Sequence, residues 1–332
     1  MNLKKHNNYQ EIVFDIDSDD SFNDVAIKIF RYQYENNPLY KQFSDYLKII
    51  PKKVDSISRI PFLPVEFFKN HTVITGNANP TGYFQSSGTT AKTTSKHYFD
   101  SPDVYEKSFT TGFNAFYGDI SDYCILALLP SYLEQQNSSL VYMVNKLVKL
   151  SCHSESGFYL YNFDELSKKI NHLEHQGQKT ILFGVTFALL DLIEQFRFNL
   201  KTTTIIETGG MKGRRKEMIR EELHGKLCSG FGVDRIHSEY GMTELFSQAW
   251  SDGDGIFHTP PWMKILIRDV NDPLSLLEKH KTGGINVIDL ANIHSCSFIA
   301  TQDLGRILSK GRFEVLGRFD NSDVRGCNLL IS

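Results

Sequence analysis

The sequence lacks the signature motifs of three large enzyme classes. It contains no G-x-x-x-x-G-K-[ST] phosphate loop and no G-x-G-x-x-G after a predicted strand, so neither a P-loop kinase nor a dinucleotide enzyme is supported. It has no G-x-S-x-G elbow, which argues against a serine hydrolase. Internal repeats and low-complexity tracts are also missing. The function must therefore be sought in other, shorter motifs.

Cysteines are few and widely spaced, which argues against a zinc site or a disulfide framework. The five cysteines form no C-x-x-C pair, and an odd number in a chain without a secretion signal predicts free thiols. Cys124 lies in an apolar run and is predicted to be part of the core. His172 and His175 are three residues apart, but they have no third ligand in sight, so no metal site is expected there.

The chain has neither a strong charge nor a long apolar run. Its formal net charge is −3, so a nucleic-acid partner is not expected. Residues 1–5 are followed by polar residues, and no signal peptide or membrane span is predicted. We therefore expect a protein of the cytoplasm. With 332 residues, 41% of them hydrophobic, the chain is long enough to bury a large core.

Apolar strands alternate with helical patterns through the middle of the chain. The predicted strands are 125–129, 180–183, 203–206 and 236–239, and the predicted helices are 140–148, 187–196 and 216–227. This alternation predicts an α/β protein with multilayered, mostly parallel sheets flanked by helices. After about residue 250, short strands and Gly or Pro pairs predict a small β-rich subdomain.

Three segments are predicted from these patterns. Residues 1–75 form a helical segment packed on the main body, 76–250 an α/β core, and 251–332 a β-rich subdomain with a C-terminal tail. In the first segment, Ser21 and Asp24 resemble a helix-capping pair, and Pro38 marks the end of that helix.

Five short segments in a fixed order suit the binding of ATP. They are residues 86–90, 207–210, 239–244, 302–306 and 317–320. The first, Ser-Ser-Gly-Thr-Thr, offers hydroxyls and backbone N–H groups to phosphate oxygens, and Lys92 or Lys96 can add positive charge. An ordinary surface loop has the same composition, so this segment alone decides little.

The other segments complete a predicted nucleotide site. Gly209 and Gly210 let a flat adenine lie against the backbone, and Tyr240 can cover it. Thr243 and Glu244 offer hard oxygen ligands for phosphate and Mg²⁺. The remaining two contacts are Asp303, a hydrogen-bond acceptor for the ribose, and Arg318, a planar fork for ribose or phosphate.

These segments resemble those of the adenylate-forming enzymes, which include acyl- and aryl-CoA ligases and luciferase-like enzymes. The closer resemblance is to the acyl-protein synthetase component of bacterial luminescence fatty acid reductase systems. It covers nearly the whole chain and is carried by residues 30–38, 60–69, 87–90, 209–214, 239–244 and 322–327. The implied fold is the N-terminal domain of adenylate-forming enzymes, without the mobile C-terminal domain of the CoA ligases.

The resemblance implies a ligase that uses ATP and Mg²⁺. A carboxylic acid, in this family a fatty acid, forms acyl-AMP, a cysteine near the C-terminus takes the acyl group as a thioester, and an acyl reductase partner receives it. Cys327 is the position that matches this pattern. The predicted catalytic residues are Cys327, Glu244 and Lys96, with Glu244 also the metal ligand. The predicted nucleotide-binding residues are Ser87, Gly88, Thr89, Thr90, Gly209, Gly210, Lys212, Tyr240, Gly241, Thr243, Asp303 and Arg318.

The sequence also departs from the superfamily pattern. Ala91 stands where a glycine usually follows the Ser-Gly-Thr-Thr loop, and Gln302 replaces the glycine of the usual Thr-Gly-Asp. The nine residues from Arg318 to Cys327 can span about 30 Å, enough for a tail to visit acyl-AMP; Cys327 in a buried terminal strand is the other reading. Two alternative functions stay open: a truncated acyl- or aryl-CoA ligase, and a non-catalytic acyl- or nucleotide-binding subunit.

Overall fold

The computed structural model describes residues 6–76, 79–87, 94–130, 137–160, 162–209, 218–309 and 311–319. Its helices are α1 (His6–Ile12), α2 (Asp19–Asn36), α3 (Pro38–Tyr46), α4 (Phe67–Asn70), α5 (Asp103–Tyr117), α6 (Ser139–Leu150), α7 (Phe163–His175), α8 (Thr186–Gln195) and α9 (Arg220–Phe231). Its strands are β1 (Leu63–Pro64), β2 (Gly82–Gln85), β3 (Lys96–Phe99), β4 (Cys124–Leu128), β5 (Gly157–Phe158), β6 (Thr180–Val185), β7 (Thr203–Thr208), β8 (His237–Tyr240), β9 (Ala249–Ser251), β10 (Ile256–His258), β11 (Met263–Arg268), β12 (Gly283–Asp289), β13 (Phe298–Ser309) and β14 (Arg312–Arg318).

One large mixed sheet organises the fold. Its strand order is β11-β12-β13-β14-β10-β9-β8-β7-β6-β4-β5, with β1 paired to β13. The strands from β5 to β8 are parallel to one another, whereas the strands from β8 to β11 pair antiparallel. The predicted α/β class is therefore confirmed, and the strands predicted after residue 250 are present; the structure pairs them antiparallel.

Apolar composition explains the centre of the sheet. Every residue of β4 and β6 is buried, as expected for parallel strands covered on both faces. Cys124 begins β4 and is fully buried, which confirms its predicted place in the core. Helices α8 and α9 connect β6 to β7 and β7 to β8, so the carboxyl ends of these strands open on one edge of the sheet.

The start of α2 differs from the prediction. Ser18, not Ser21, is the N-cap: its hydroxyl accepts the Ser21 N–H, and the Ser21 side chain bonds back to the Ser18 backbone. Asp19 and Asp20 then occupy the first turn, where their negative charges interact favourably with the positive end of the helix dipole. The predicted pair was wrong by one turn because Ser, Asp and Asn occur throughout this stretch. The helix ends at Asn36, as the proline at position 38 predicted.

The N-terminal helices are joined to the sheet by buried polar contacts. Gln33 on α2 donates to the backbone carbonyls of Asn292 and Ile293 and accepts the Ser297 N–H at 2.9 Å. Strands from all three predicted segments contribute to the large sheet. The boundaries at residues 75 and 250 stay predictions. Within the described residues, no helix has the length and apolarity needed to cross a membrane.

Candidate nucleotide-binding site

The clearest polar cluster lies where β8, β13 and β14 meet. Tyr240, the last residue of β8, donates its hydroxyl to Asp303 Oδ2 at 2.8 Å. Arg318, the last residue of β14, donates its Nε–H to Asp303 Oδ1 at 3.1 Å. The Asp303 side chain is 6% exposed, whereas the Arg318 side chain is 76% exposed. The Asp303 carboxylate therefore accepts one hydrogen bond from the buried Tyr240 and one from the solvent-exposed Arg318.

The backbone around Asp303 is held by further hydrogen bonds. Asp303 pairs directly with Arg318 in the β13–β14 ladder, and its N–H donates to the Thr301 hydroxyl at 3.1 Å. The buried Arg268 guanidinium donates to the Thr301 carbonyl at 2.5 Å. Gln302, the residue in place of the usual glycine, bonds to the Glu66 carboxylate. The position of the acid therefore depends on the sheet and not on a flexible loop.

Glu244 lies in the loop after β8 and is 6% exposed. Burial raises the pKa of its carboxyl, and the Ser95 hydroxyl and the charges of Lys69 and Arg318 partly counter that rise. Arg318 therefore contributes to the electrostatics of both Asp303 and Glu244. The buried Ser95 hydroxyl lies near the Glu244 carboxylate, but the two do not meet in hydrogen-bond geometry. A carboxylate beside an unsatisfied hydroxyl is a suitable place for a polar ligand.

The same loop is tied to β3 by a buried histidine. His97 Nδ1 lies 2.9 Å from the Thr243 carbonyl, and its Nε2 lies 2.7 Å from the Ser295 hydroxyl. Because a carbonyl only accepts, Nδ1 carries the proton and Nε2 accepts from Ser295. Its ring stacks on Phe246 with 4.4 Å between centroids. Burial lowers the pKa of His97 to about 4, so the ring is neutral at pH 7.

Two glutamates, Glu207 in β7 and Glu239 in β8, each lie one residue before the end of their strand. Thr208 donates to Glu239 Oε2 at 2.6 Å, which joins the two strand ends. Burial raises the pKa of Glu239 to about 7, and the nearby Glu207 charge adds to the rise. Burial alone would raise the pKa of Glu207, but hydrogen bonds from His224 and Ser238 lower it overall. At neutral pH Glu207 is therefore charged, whereas Glu239 is only partly ionised.

Glycines adjoin both strand ends. Gly209 follows β7 with a φ of +77°, a conformation that other residues rarely adopt. A Cβ atom on Gly241 would lie 2.3 Å from Glu239 Oε1. Glu239 therefore packs over the backbone of Gly241, and a larger residue there would displace the carboxyl.

Several predicted residues come together and others stand apart. Tyr240, Asp303 and Arg318 form one cluster, with Thr243 and Glu244 in the adjoining loop. The Tyr240 ring packs between Phe257 and Phe313, with 5.8 and 5.6 Å between centroids. The predicted cover over an adenine stays a prediction.

Lys96 and Ser87 show no contact with this cluster. Lys96 Nζ lies 4.9 Å from the Tyr83 ring centroid, and its neighbour His97 faces Thr243. Successive strand residues point to opposite faces, so Lys96 points away from that contact. Ser87, in the first of the five predicted segments, is exposed. The predicted residues Gly88, Thr89, Thr90, Gly210, Lys212 and Cys327, with the alternative Lys92, lie outside the described residues.

Some residues of this site were not predicted from the sequence. They are Ser95 and His97, together with Asp289 and Asn292, which bond to the loop that carries Glu244. Each is a single polar residue at the end of an apolar or mixed stretch, and no spacing marks it as functional. Among the described residues, no group of three or more His, Cys, Asp or Glu side chains is arranged to hold a metal ion.

Solved structures share this architecture. The match to 2-hydroxyisobutyryl-CoA ligase in the postadenylation state, in complex with 2-HIB-AMP, has a TM-score of 0.65 at 10% identity and covers 90% of this chain and 68% of that one. ATP-bound MatB from Rhodopseudomonas palustris matches with a TM-score of 0.55 at 18% identity, over 73% of this chain and 49% of that one. The luciferase-like enzyme of the mealworm Zophobas morio matches with a TM-score of 0.51 at 16% identity, over 74% and 59%.

These matches define the fold as that of the N-terminal domain of adenylate-forming ligases. The chain spans about half the length of the MatB structures that it matches. The family is defined by sequence: the model for the acyl-protein synthetases, LuxE, matches residues 12–332. The chain therefore belongs to the acyl-protein synthetase family. No curated protein matches it in sequence.

Proposed function

We propose that this protein activates a carboxylic acid with ATP and then carries the acyl group as a thioester. In the first step a carboxylate oxygen attacks the α-phosphorus of ATP, the bond to the β-phosphate breaks, and acyl-AMP and pyrophosphate form. In the second step the Cys327 thiolate attacks the acyl carbon, and AMP leaves with the bonding electrons. The thiol proton passes to solvent. The acid is a fatty acid, and an acyl reductase partner in the cytoplasm receives the acyl group.

The observation that carries the proposal is the position of Asp303. A buried carboxylate that is held by Tyr240 and paired with the exposed Arg318 can accept hydrogen bonds from both hydroxyls of a ribose. The exposed Arg318 guanidinium can then turn to the phosphates, to which its planar fork is suited. The family match over residues 12–332 independently supports the chemistry.

The residues near Glu244 fit a magnesium ion. Mg²⁺ prefers hard oxygen ligands and is usually held by one or two carboxylates together with substrate phosphates. Glu244 supplies the carboxylate, and the unpartnered Ser95 hydroxyl lies beside it. When bound, the ion neutralises charge on the phosphates. Glu244 and Arg318 then set the charge of the site, while the sheet fixes Asp303.

Pyrophosphate exchange tests the first step. We expect radiolabelled pyrophosphate to enter ATP only when a suitable carboxylic acid and Mg²⁺ are present, and a panel of acids from short to long chains identifies the substrate class. Asp303→Ala should raise the KM for ATP strongly, because the site loses the acceptor for the ribose. No exchange with any acid of the panel would contradict the proposal.

Intact-mass spectrometry tests the second step. Incubation with ATP, Mg²⁺ and the acid should add one acyl mass to the protein, and hydroxylamine should remove it. Cys327→Ala should lose this mass gain but keep the exchange reaction, whereas Cys152→Ala is the matched control on an exposed thiol and should behave like the wild type. A thioester that forms only on added CoA would instead indicate a CoA ligase.

A further inference from the structure

The turn after β12 holds the loop that carries Glu244. Asp289, the last residue of β12, is fully buried. Its Oδ2 accepts the backbone N–H groups of Phe246 and Ser247, each at 2.8 Å. Its Oδ1 accepts the Ser247 hydroxyl at 2.6 Å and the Ala291 N–H at 3.1 Å. A single carboxylate therefore fixes two successive residues of the loop.

Asn292 holds the same loop from the other end of the turn. Its side-chain N–H donates to the Glu244 carbonyl at 2.8 Å and to the Cys296 carbonyl at 3.2 Å. Its side-chain oxygen accepts the Phe246 N–H at 3.0 Å. Since one of these bonds is made to the backbone of Glu244 itself, Asn292 directly fixes the place from which that carboxylate projects.

Burying the Asp289 carboxylate costs free energy, which indicates that the position of the loop after β8 matters. Burial raises the pKa of Asp289, because a charged carboxylate in the core has lost its water. Four hydrogen bonds offset that loss: three come from the loop after β8 and one from Ala291 in the turn that follows Asp289. Asn292 is also fully buried, and its donor and acceptor groups are both used.

We propose that Asp289 and Asn292 are positioning residues that hold the loop after β8 so that Glu244 faces the phosphates and Mg²⁺. The proposal rests on the function proposed above. Neither residue needs to touch a substrate. Their effect passes through backbone hydrogen bonds to residues 244–247, and a loop shift of about 1 Å is enough to cost up to a hundredfold in rate.

The test compares two carboxylates that each accept several hydrogen bonds, Asp289 in the core and the partly buried Glu174. Asp289→Asn replaces one acceptor oxygen by an NH₂ group, which must then face a donor. Glu174→Gln does the same at the opposite edge of the sheet, where Glu174 accepts the Thr202 N–H at 2.9 Å and the hydroxyls of Thr202 and Thr203 at 2.9 Å. Both variants should lose thermal stability. Only a change in catalysis therefore distinguishes Asp289→Asn from Glu174→Gln.

The readouts are kcat for pyrophosphate exchange and the Mg²⁺ concentration at half-maximal rate. Asp289→Asn should lower kcat about ten- to a hundredfold and raise the half-saturating Mg²⁺ concentration, as Glu244→Gln should. Glu174→Gln should leave both unchanged. Asp289→Asn with wild-type kcat and Mg²⁺ dependence, or equal losses in the two variants, would overturn the proposal.

A milder variant decides the matter if Asp289→Asn does not fold. Ser247→Ala removes one hydroxyl from Asp289 and leaves both backbone bonds, so it should change the Mg²⁺ dependence in the same direction but less. Wild-type Mg²⁺ dependence in that variant would refute the positioning role. If the wild type itself exchanges no pyrophosphate, the proposed function fails. Mg²⁺-dependent ATP binding, measured by calorimetry, then replaces exchange as the readout for the positioning role. If the wild type does not bind ATP with Mg²⁺ either, both the proposed function and the positioning role are refuted.

Discussion

Tyr240 and Asp303 act as one unit, since the phenol of the first donates to a buried oxygen of the second at 2.8 Å. The two residues lie 63 positions apart, one at the end of β8 and the other in the middle of β13. The bond joins the parallel part of the sheet to the antiparallel part at the candidate nucleotide site.

Removal of the Tyr240 hydroxyl should weaken both stability and nucleotide binding. Tyr240→Phe leaves a buried carboxylate with one donor fewer, so we expect a loss of about 2 kcal/mol in the free energy of unfolding and a raised KM for ATP. Tyr105→Phe is the control: Tyr105 is also buried, but its hydroxyl donates to a neutral carbonyl, that of Ser139, at 3.0 Å. It should cost about 1 kcal/mol and leave the KM for ATP unchanged. An unaltered KM in Tyr240→Phe would show that the phenol does not orient Asp303.

Arg318 should contribute to binding and little to folding. Its side chain is 76% exposed, so solvent screens its ion pair with the buried Asp303, and we expect that pair to contribute about 1 kcal/mol. Arg318→Ala should therefore unfold near the wild-type temperature but require more ATP for half-maximal exchange. Arg306→Ala, which removes the ion pair with Glu314 on the same two strands, should change neither quantity much. Equal KM values for ATP in the two variants would argue against Arg318 as a ligand.

Glu239 should make the protein less stable as the pH rises. Its folded pKa of about 7 lies above the unfolded value of 4.5, so the folded state holds the proton more tightly. The contribution is complete below pH 4.5 and is lost between pH 4.5 and about 7, by up to about 3 kcal/mol. Relative to the wild type, Glu239→Gln should become more stable across this window. Urea unfolding at a series of pH values measures the difference, and a constant difference would contradict the raised pKa.

His97 should make the protein more stable as the pH rises, which is the opposite of the effect of Glu239. Its folded pKa of about 4 lies below the unfolded value of 6.5, so the unfolded state binds the proton more tightly. The contribution is complete above pH 6.5 and is lost as the pH falls to about 4, again by about 3 kcal/mol. His97→Gln should therefore lose stability relative to the wild type as the pH rises. Because the windows for Glu239 and His97 overlap, only the single variants separate the two slopes.

The protonation of His97 has its own measurement. With Nδ1 donating to the Thr243 carbonyl, the neutral ring should be the Nδ1–H form at pH 7. The ¹⁵N chemical shifts of the two ring nitrogens distinguish this form from the Nε2–H form. Detection of Nε2–H would mean that the contact with Thr243 is not a hydrogen bond.

The sequence predicted the elements better than the contacts between them. Apolar runs with the right period indicated β4, β6, α6 and α8 to within two residues at each end, because burial on a regular element leaves a regular pattern. The cap of α2 was placed wrongly because Ser18 and Ser21 have the same chemistry, and only the chain geometry selects one of them.

The candidate site was predicted only in part for a related reason. Tyr240, Glu244 and Asp303 stand in short ordered motifs that can be read along the chain. His97, Asp289 and Asn292 stand alone, and their partners lie dozens of positions away or more. No local pattern records such a partner, since a single buried polar residue leaves no period.

The amino-acid sequence by itself determined the fold class and the family, because strand and helix periods and the order of the motifs are properties of the chain. Tertiary structure alone decided which polar groups meet: the sheet brings Asp303 to Tyr240, and the turn after β12 brings Asp289 to the loop of Glu244. The physical reason is that a buried polar group needs a hydrogen-bond partner, but which group becomes that partner depends on how distant segments of the chain pack together.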